Sequence, residues 1–104
     1  MLTKDSVFKT LQANSKVFEN DGVLIVGLFG SFSRDNATKD SDVDILIETK
    51  PVFHKKYKGL RAIVKLSQIK EFFENEFQRE IDLVDRSVLS QNSKEHILKK
   101  ALYV

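Results

Sequence analysis

The chain has 104 residues, no cysteine, a formal net charge of +2 and 41% hydrophobic residues, which predicts one domain, 1–104, with a real core and no room for a separate substrate-binding domain. The cysteine count excludes disulfides, thiolate zinc sites and thiol nucleophiles, and no apolar run approaches the roughly 20 residues of a membrane span. The start Met1-Leu2-Thr3-Lys4-Asp5 lacks the order of a signal peptide, so a cytoplasmic address is expected, and a charge of +2 is too small to argue for nucleic acid.

From Thr3 to about Asn20, the residues Val7, Phe8, Leu11 and Phe18 recur on one helical face, and Asp21-Gly22 ends the segment. Val23 to Phe29 is a continuous, largely β-branched run, which reads as a strand buried on both faces. Gly30 allows a sharp turn, after which Ser31-Phe32-Ser33-Arg34 can start a short helix whose free N–H groups attract phosphate. A polar turn, Asp35 to Ser41, leads into a second strand, Asp42 to Ile47. Lys50-Pro51 is expected to break regular structure, with a mobile stretch to Gly59. A helix then places Leu60, Ile63, Leu66, Ile69 or Lys70, and Phe73 in register, extended by Phe72 and Phe77. Arg79 to Val84 reads as a third strand, and Ser93 caps a last helix, Lys94 to about Leu102, burying Ile97, Leu98 and Ala101. The order predicts an α/β (α+β) fold: a small mixed sheet of three or four strands, helices mainly on one face, acids at the rim.

Side chains alternate across a strand, so Asp42 and Asp44 share one face while Val43, Ile45 and Ile47 take the other. Two carboxylates so close repel unless a cation compensates them, and hard oxygen donors suit Mg²⁺ or Mn²⁺. Asp82, between Ile81 and Leu83, faces away from them together with Glu80. If that strand lies beside the Asp42–Asp44 strand, at about 4.8 Å, three acids converge near Gly30 and could hold two metals. Ser31 serves as a phosphate ligand or as a helix cap, and Arg34 reaches a triphosphate or pairs with an acid such as Asp35. Glu80 and Asp85 read as solvated, the Lys run 54–58 as a solvated loop, and His54 and His96 have no partner at metal-ligand spacing.

Gly30-Ser31, ten residues, Asp42-Val43-Asp44 and a later strand with Asp82 resemble the signature of the polymerase-β-like nucleotidyltransferases, in particular the small MNT proteins, over nearly the whole chain. Their turn commonly reads Gly-Ser-Arg-Ala-Arg-Gly, matched here at Gly30, Ser31 and Arg34. The resemblance implies the polymerase-β-like nucleotidyltransferase fold and transfer of AMP from ATP with two Mg²⁺ ions. By it, Asp42 and Asp44 bind both ions, Asp82 binds the catalytic one, and Gly30, Ser31 and Arg34 belong to the phosphate site. Polymerase action is not supported.

Antibiotic-modifying relatives carry an added helical domain for the acceptor, which 104 residues cannot supply, so the resemblance implies a protein acceptor. MNT proteins of this kind are antitoxins (type VII-like) that modify a tyrosine hydroxyl of a HEPN toxin in a hetero-oligomer. Apolar surface on the first and last helices, including Leu102, Tyr103 and Val104, is a candidate contact. Two alternatives stand beside it: a non-catalytic antitoxin acting by occlusion, and a nucleotide-binding subunit of a larger transferase.

Overall fold

Thr3 begins the first element: its side chain accepts the Ser6 amide at 3.1 Å while Ser6 Oγ accepts the Thr3 amide at 3.0 Å, a reciprocal cap for helix α1, Lys4–Asn20. The structure is a computed structural model, which describes residues 2–30, 38, 41–93, 95 and 101–104. Strands β1 (Val23–Phe29) and β2 (Val43–Thr49) follow, then helices α2 (Pro51–Lys56) and α3 (Leu60–Phe77), strand β3 (Ile81–Asp85), a 3₁₀ turn Arg86–Val88, and a short strand β4 (Leu102–Tyr103). The sheet has four strands in the order β3-β2-β1-β4. β1 is antiparallel to β2 and β4, whereas β2 and β3 run parallel. A parallel pair needs a crossover, and α3 supplies it.

One face of the sheet carries the core. Val23, Ile25 and Leu28 of β1, Val43, Ile45 and Ile47 of β2, and Ile81 of β3 pack against Val7, Leu11 and Phe18 of α1 and Ile69, Phe73 and Phe77 of α3. Phe18 bridges the two helices, its ring centroid 5.4 Å from those of both Phe72 and Phe73. A β-bulge between Ile25 and Gly27 shifts the β1 register, so that Leu28 rejoins the core and Phe29 stands opposite Asp44. The uniformly apolar β1 run gave no sign of that switch. Among the described residues, no helix is long and apolar enough to cross a membrane.

Four expectations change. Pro51 does not break structure; it occupies the first turn of α2, where its missing N–H costs nothing. The apolar stripe expected along α3 does not hold at its start, because Leu60 is 79% and Ile63 62% exposed. Leu60 and Ile69 are nine residues apart, and at about 100° per residue that places them on opposite sides of the helix. A chain of i+3 steps drifts around the cylinder, so in the first half of α3 Ala62 and Leu66 pack partly against the core, and the fully buried Ile69, Phe73 and Phe77 come later. The cap expected at Ser93 moves to Ser90, whose Oγ accepts the Ser93 amide at 3.3 Å, with Ser93 already helical. The expected helix body, 94 and 96–100, lies outside the described residues, but its expected end is a strand. Leu102 pairs with Leu28 and Tyr103 with Gly27, where a Cβ would strike the Leu102 carbonyl. Leu102 and Val104 pack against the core, so the chain end offers only Tyr103 as exposed apolar surface.

Candidate active site

Parallel pairing of β2 and β3 sets Asp44 and Asp82 side by side as register partners, between the buried pair Val43–Ile81 and the pair of buried Ile45 with half-buried Leu83. Val43, Ile45 and Ile81 belong to the core, so alternation turns both carboxylates to the opposite face. Adjacent strands lie about 4.8 Å apart, and like charges at that spacing oppose pairing unless a cation joins them. Asp42 lies one residue before β2, exposed, on the same side as Asp44. The Glu80 carbonyl accepts the Val43 amide at 2.9 Å, which ties the start of β2 to the residue preceding β3.

Gly30 closes the site from the β1 side. Phe29 is the register partner of Asp44, and Gly30 follows with φ +75°. A Cβ there would overlap the Asp44 carboxylate. Glycine is therefore required twice at this position, for its left-handed backbone and for the space that the carboxylate fills. Ser31 and Arg34, expected in the phosphate site, lie outside the described residues, as do the short helix of 31–34 and most of the turn that follows.

The donor set fits a hard divalent ion. All three acids are oxygen donors on one face at one strand end, and Mg²⁺ ordinarily keeps several waters and is shared with substrate phosphates. Among the described residues, no group of three His, Cys, Asp or Glu side chains is drawn together tightly enough to hold an ion by itself. Asp44 and Asp82 are adjacent as expected, whereas the convergence of all three acids is looser than the sequence suggested.

Sequence reasoning missed Arg79. Its Nη1 donates to the Thr38 carbonyl at 2.9 Å and the Ser41 carbonyl at 3.0 Å, pinning the residues that lead into Asp42 to the entry of β3. An arginine before a strand carries no sequence signal for that role; only the adjacency of β2 and β3 creates it.

The opposite end of the same strand pair corrects the reading of Asp85 as solvated. Asp85 Oδ2 accepts the Thr49 hydroxyl at 2.6 Å, while Oδ1 accepts the Thr49 amide at 3.2 Å, the Ser87 amide at 3.0 Å and the Ser87 hydroxyl at 2.7 Å. Thr49 Oγ1 donates to Asp85, so at 3.0 Å it accepts from His54 Nε2. Burial pushes the Asp85 carboxyl up, but the donors from Ser87 and Thr49 outweigh it and leave the group below its ordinary value. Nearby, Lys50 and Arg86 hold the Glu48 carboxyl down. Asp21, at the turn into β1, binds Lys56 at 2.9 Å, Lys65 at 3.0 Å and the Tyr57 hydroxyl at 3.1 Å, and these lower its pKa to about 2. None of these acids stands at the Asp44–Asp82 end.

The nucleotidyltransferase domain family matches residues 9–104. Over 105 residues, the whole of this chain and 98% of the relative, the sequence is 31% identical to the protein adenylyltransferase MntA of Thermococcus cleftensis. The fold is similar to that of a protein proposed to be a minimal nucleotidyltransferase, with a TM-score of 0.74 at 22% identity over 99% of this chain and 97% of that one. It is also similar to a chain in a toxin–antitoxin structure with AMP-PNP, with a TM-score of 0.64 at 20% identity over 98% of this chain and 72% of that one. With a family match spanning nearly its whole length and a relative of the same size, this chain belongs to the nucleotidyltransferases.

Proposed function

We propose that this chain transfers AMP from ATP to a hydroxyl of a partner protein and thereby acts as the antitoxin of a toxin–antitoxin pair. The observation that carries the reading is the register pairing of Asp44 with Asp82, beside a Gly30 turn that only glycine can make. The name of the Thermococcus cleftensis relative supports protein adenylylation, and the toxin–antitoxin structure with AMP-PNP supports both the pairing and the nucleotide. The acceptor we infer is a tyrosine of a HEPN-type toxin, held in a hetero-oligomer in the cytoplasm.

Each residue then has a part. Asp42 and Asp44 would hold two Mg²⁺ ions, or Mn²⁺, and Asp82 one of them. When bound, such ions supply positive charge at the attacking and leaving oxygens of an in-line displacement. Gly30 and Ser31 would hold the β- and γ-phosphates through N–H and hydroxyl groups, with Arg34 nearby. The acceptor oxygen bonds to the α-phosphorus, the bridge to the β-phosphate breaks, pyrophosphate leaves, and Asp82 accepts the hydroxyl proton. Arg79 positions Asp42 through the backbone, by holding the Thr38 and Ser41 carbonyls.

The test is the intact mass of each polypeptide after the chain is incubated with Mg²⁺, ATP and the protein encoded beside it, against an Asp44→Asn control. Partner mass rising in AMP units, and failing to rise with the control, is expected. A stable complex with no mass gain would instead favour an antitoxin that works by occlusion.

A further inference from the structure

Charge is segregated along this chain. Residues 49–70 contain seven Lys and Arg and no Asp or Glu, whereas the other residues contain ten basic and fifteen acidic side chains. The basic segment comprises α2 and the first half of α3, which pack on the core through Phe53, Ala62 and Leu66 among their apolar side chains, with Tyr57 between the helices. Its outer ridge is apolar: Leu60, Ile63 and Val64 are 79%, 62% and 54% exposed. Spaced i, i+3, i+4, they form one contiguous strip. Exposed aliphatic side chains on a single face, rimmed by charge, mark an interaction surface.

A hollow lies on each side of the ridge. One, of about 320 Å³, is lined by Tyr57, Leu60, Arg61, Val64, Lys65 and Gln68. The other, of about 270 Å³, runs between α3 and the outer edge of the sheet, and its walls include Ile63, Leu66, Lys70, Leu83 and Asp82. β3 is the edge strand there. The second hollow also includes Ile47 and Asp85, so it runs along β3, and a body seated on the ridge lies along the strand that carries Asp82.

We propose that the ridge of α3 and its two hollows dock the acceptor protein, through a partner face that is acidic at its rim and apolar at its centre. Lys50, Lys56 and Lys65 are paired with Glu48 and Asp21, and the segment's other basic side chains, Lys55, Lys58, Arg61 and Lys70, supply the charge complementarity that selects the partner. A second copy meeting this face by two-fold symmetry would oppose like charges, which disfavours self-association. The exposed ridge is aliphatic and offers no aromatic platform for bases, which disfavours nucleic acid. Two concave sites flanking a ridge suit discrete side-chain knobs of a folded protein better than a fluid lipid surface. The inference rests on the proposed transfer to a protein partner and adds where that partner sits.

Ile63→Asp with Val64→Asp tests it, because both side chains are exposed and new acids near a helix N-terminus favour the helix. Complex formation with the adjacently encoded protein is measured by native mass spectrometry, AMP transfer by intact mass, and binding of a fluorescent ATP analogue with Mg²⁺ by anisotropy. The double variant is expected to weaken the complex at least about tenfold and to lose transfer, while ATP-analogue binding and circular dichroism stay as in the parent. Arg61→Glu should weaken the complex less, and added salt should weaken the parent complex. An undiminished complex in the double variant overturns the docking surface and leaves the proposed transfer standing. A complex that the variant abolishes, with no AMP gained by the parent's partner, supports the surface and sinks the transfer. No complex from the parent chain overturns the proposal. So does binding, through these residues, to vesicles of equal parts phosphatidylserine and phosphatidylcholine, to RNA or to a second copy in place of the partner.

Discussion

Asp82 and Asp85 stand three residues apart on β3, each beside β2, yet their surroundings differ in kind. Asp85 meets four donors from Thr49 and Ser87 and ties the end of β2 to the turn after β3. Asp82 stands exposed beside another carboxylate, Asp44, between the apolar strand neighbours Ile81 and Leu83. An acid surrounded by donors is built into the fold, whereas two acids in register, turned away from the core, place like charges side by side at a strand end. The contrast separates an acid that ties two elements together from a pair that is a candidate for binding.

That contrast can be broken most sharply at Asp44. Asp44→Asn should lower AMP transfer by at least about 100-fold, given the several kcal/mol that ion-mediated charge stabilisation contributes. The fold should be kept; intact mass reports the loss of transfer and circular dichroism the retained structure. A variant that transfers normally would refute the assignment of this acid.

Asp85→Ala should do the reverse. It leaves the Thr49 amide and hydroxyl without their acceptor, a loss of about 1–3 kcal/mol, while transfer per folded molecule stays at the parent level. The carboxyl sits below its ordinary 3.8 in the folded chain, so its contribution is present above about pH 4 and disappears as pH falls through the folded value. Denaturant melts of Asp85→Asn and parent at several pH values should therefore converge in acid.

Gly30→Ala sharpens the comparison from the β1 side. A left-handed alanine costs about 1–2 kcal/mol, and its methyl would also displace the Asp44 carboxylate. Transfer should fall by more than the loss of stability explains, which activity normalised to folded protein would show. The smallest effect is expected at Asp21. Its pKa of about 2 against an ordinary 3.8 means stability present at neutral pH and lost between about pH 4 and pH 2. Because its lysine partners are partly exposed, Asp21→Asn should cost under about 1 kcal/mol at pH 7, reduced further by salt.

Much of the site was legible because it is local. Asp42, Asp44 and the alternation of Val43, Ile45 and Ile47 follow from a period of two, and Gly30 ends an apolar run that could hardly be anything but a strand. Less was legible where elements meet. Arg79 gains its role only because β3 lies beside β2, and Asp85 gains its donors from Thr49, thirty-six residues away. The start of α3 was misread because a helical stripe assembled from i+3 steps rotates away from the core, and the chain end because two residues of strand carry no periodicity.

The amino-acid sequence by itself determined the mixed fold, the acids and their common face, since strand alternation and apolar runs are properties of neighbouring residues. Tertiary structure decided which acids stand together. The parallel register brings Asp82 to Asp44, the bulge in β1 sets Phe29 opposite Asp44 and delivers Gly30 to that carboxylate, and the α3 crossover leaves Leu60, Ile63 and Val64 facing outward. These depend on contacts between residues far apart in the chain, whose energies no local pattern encodes.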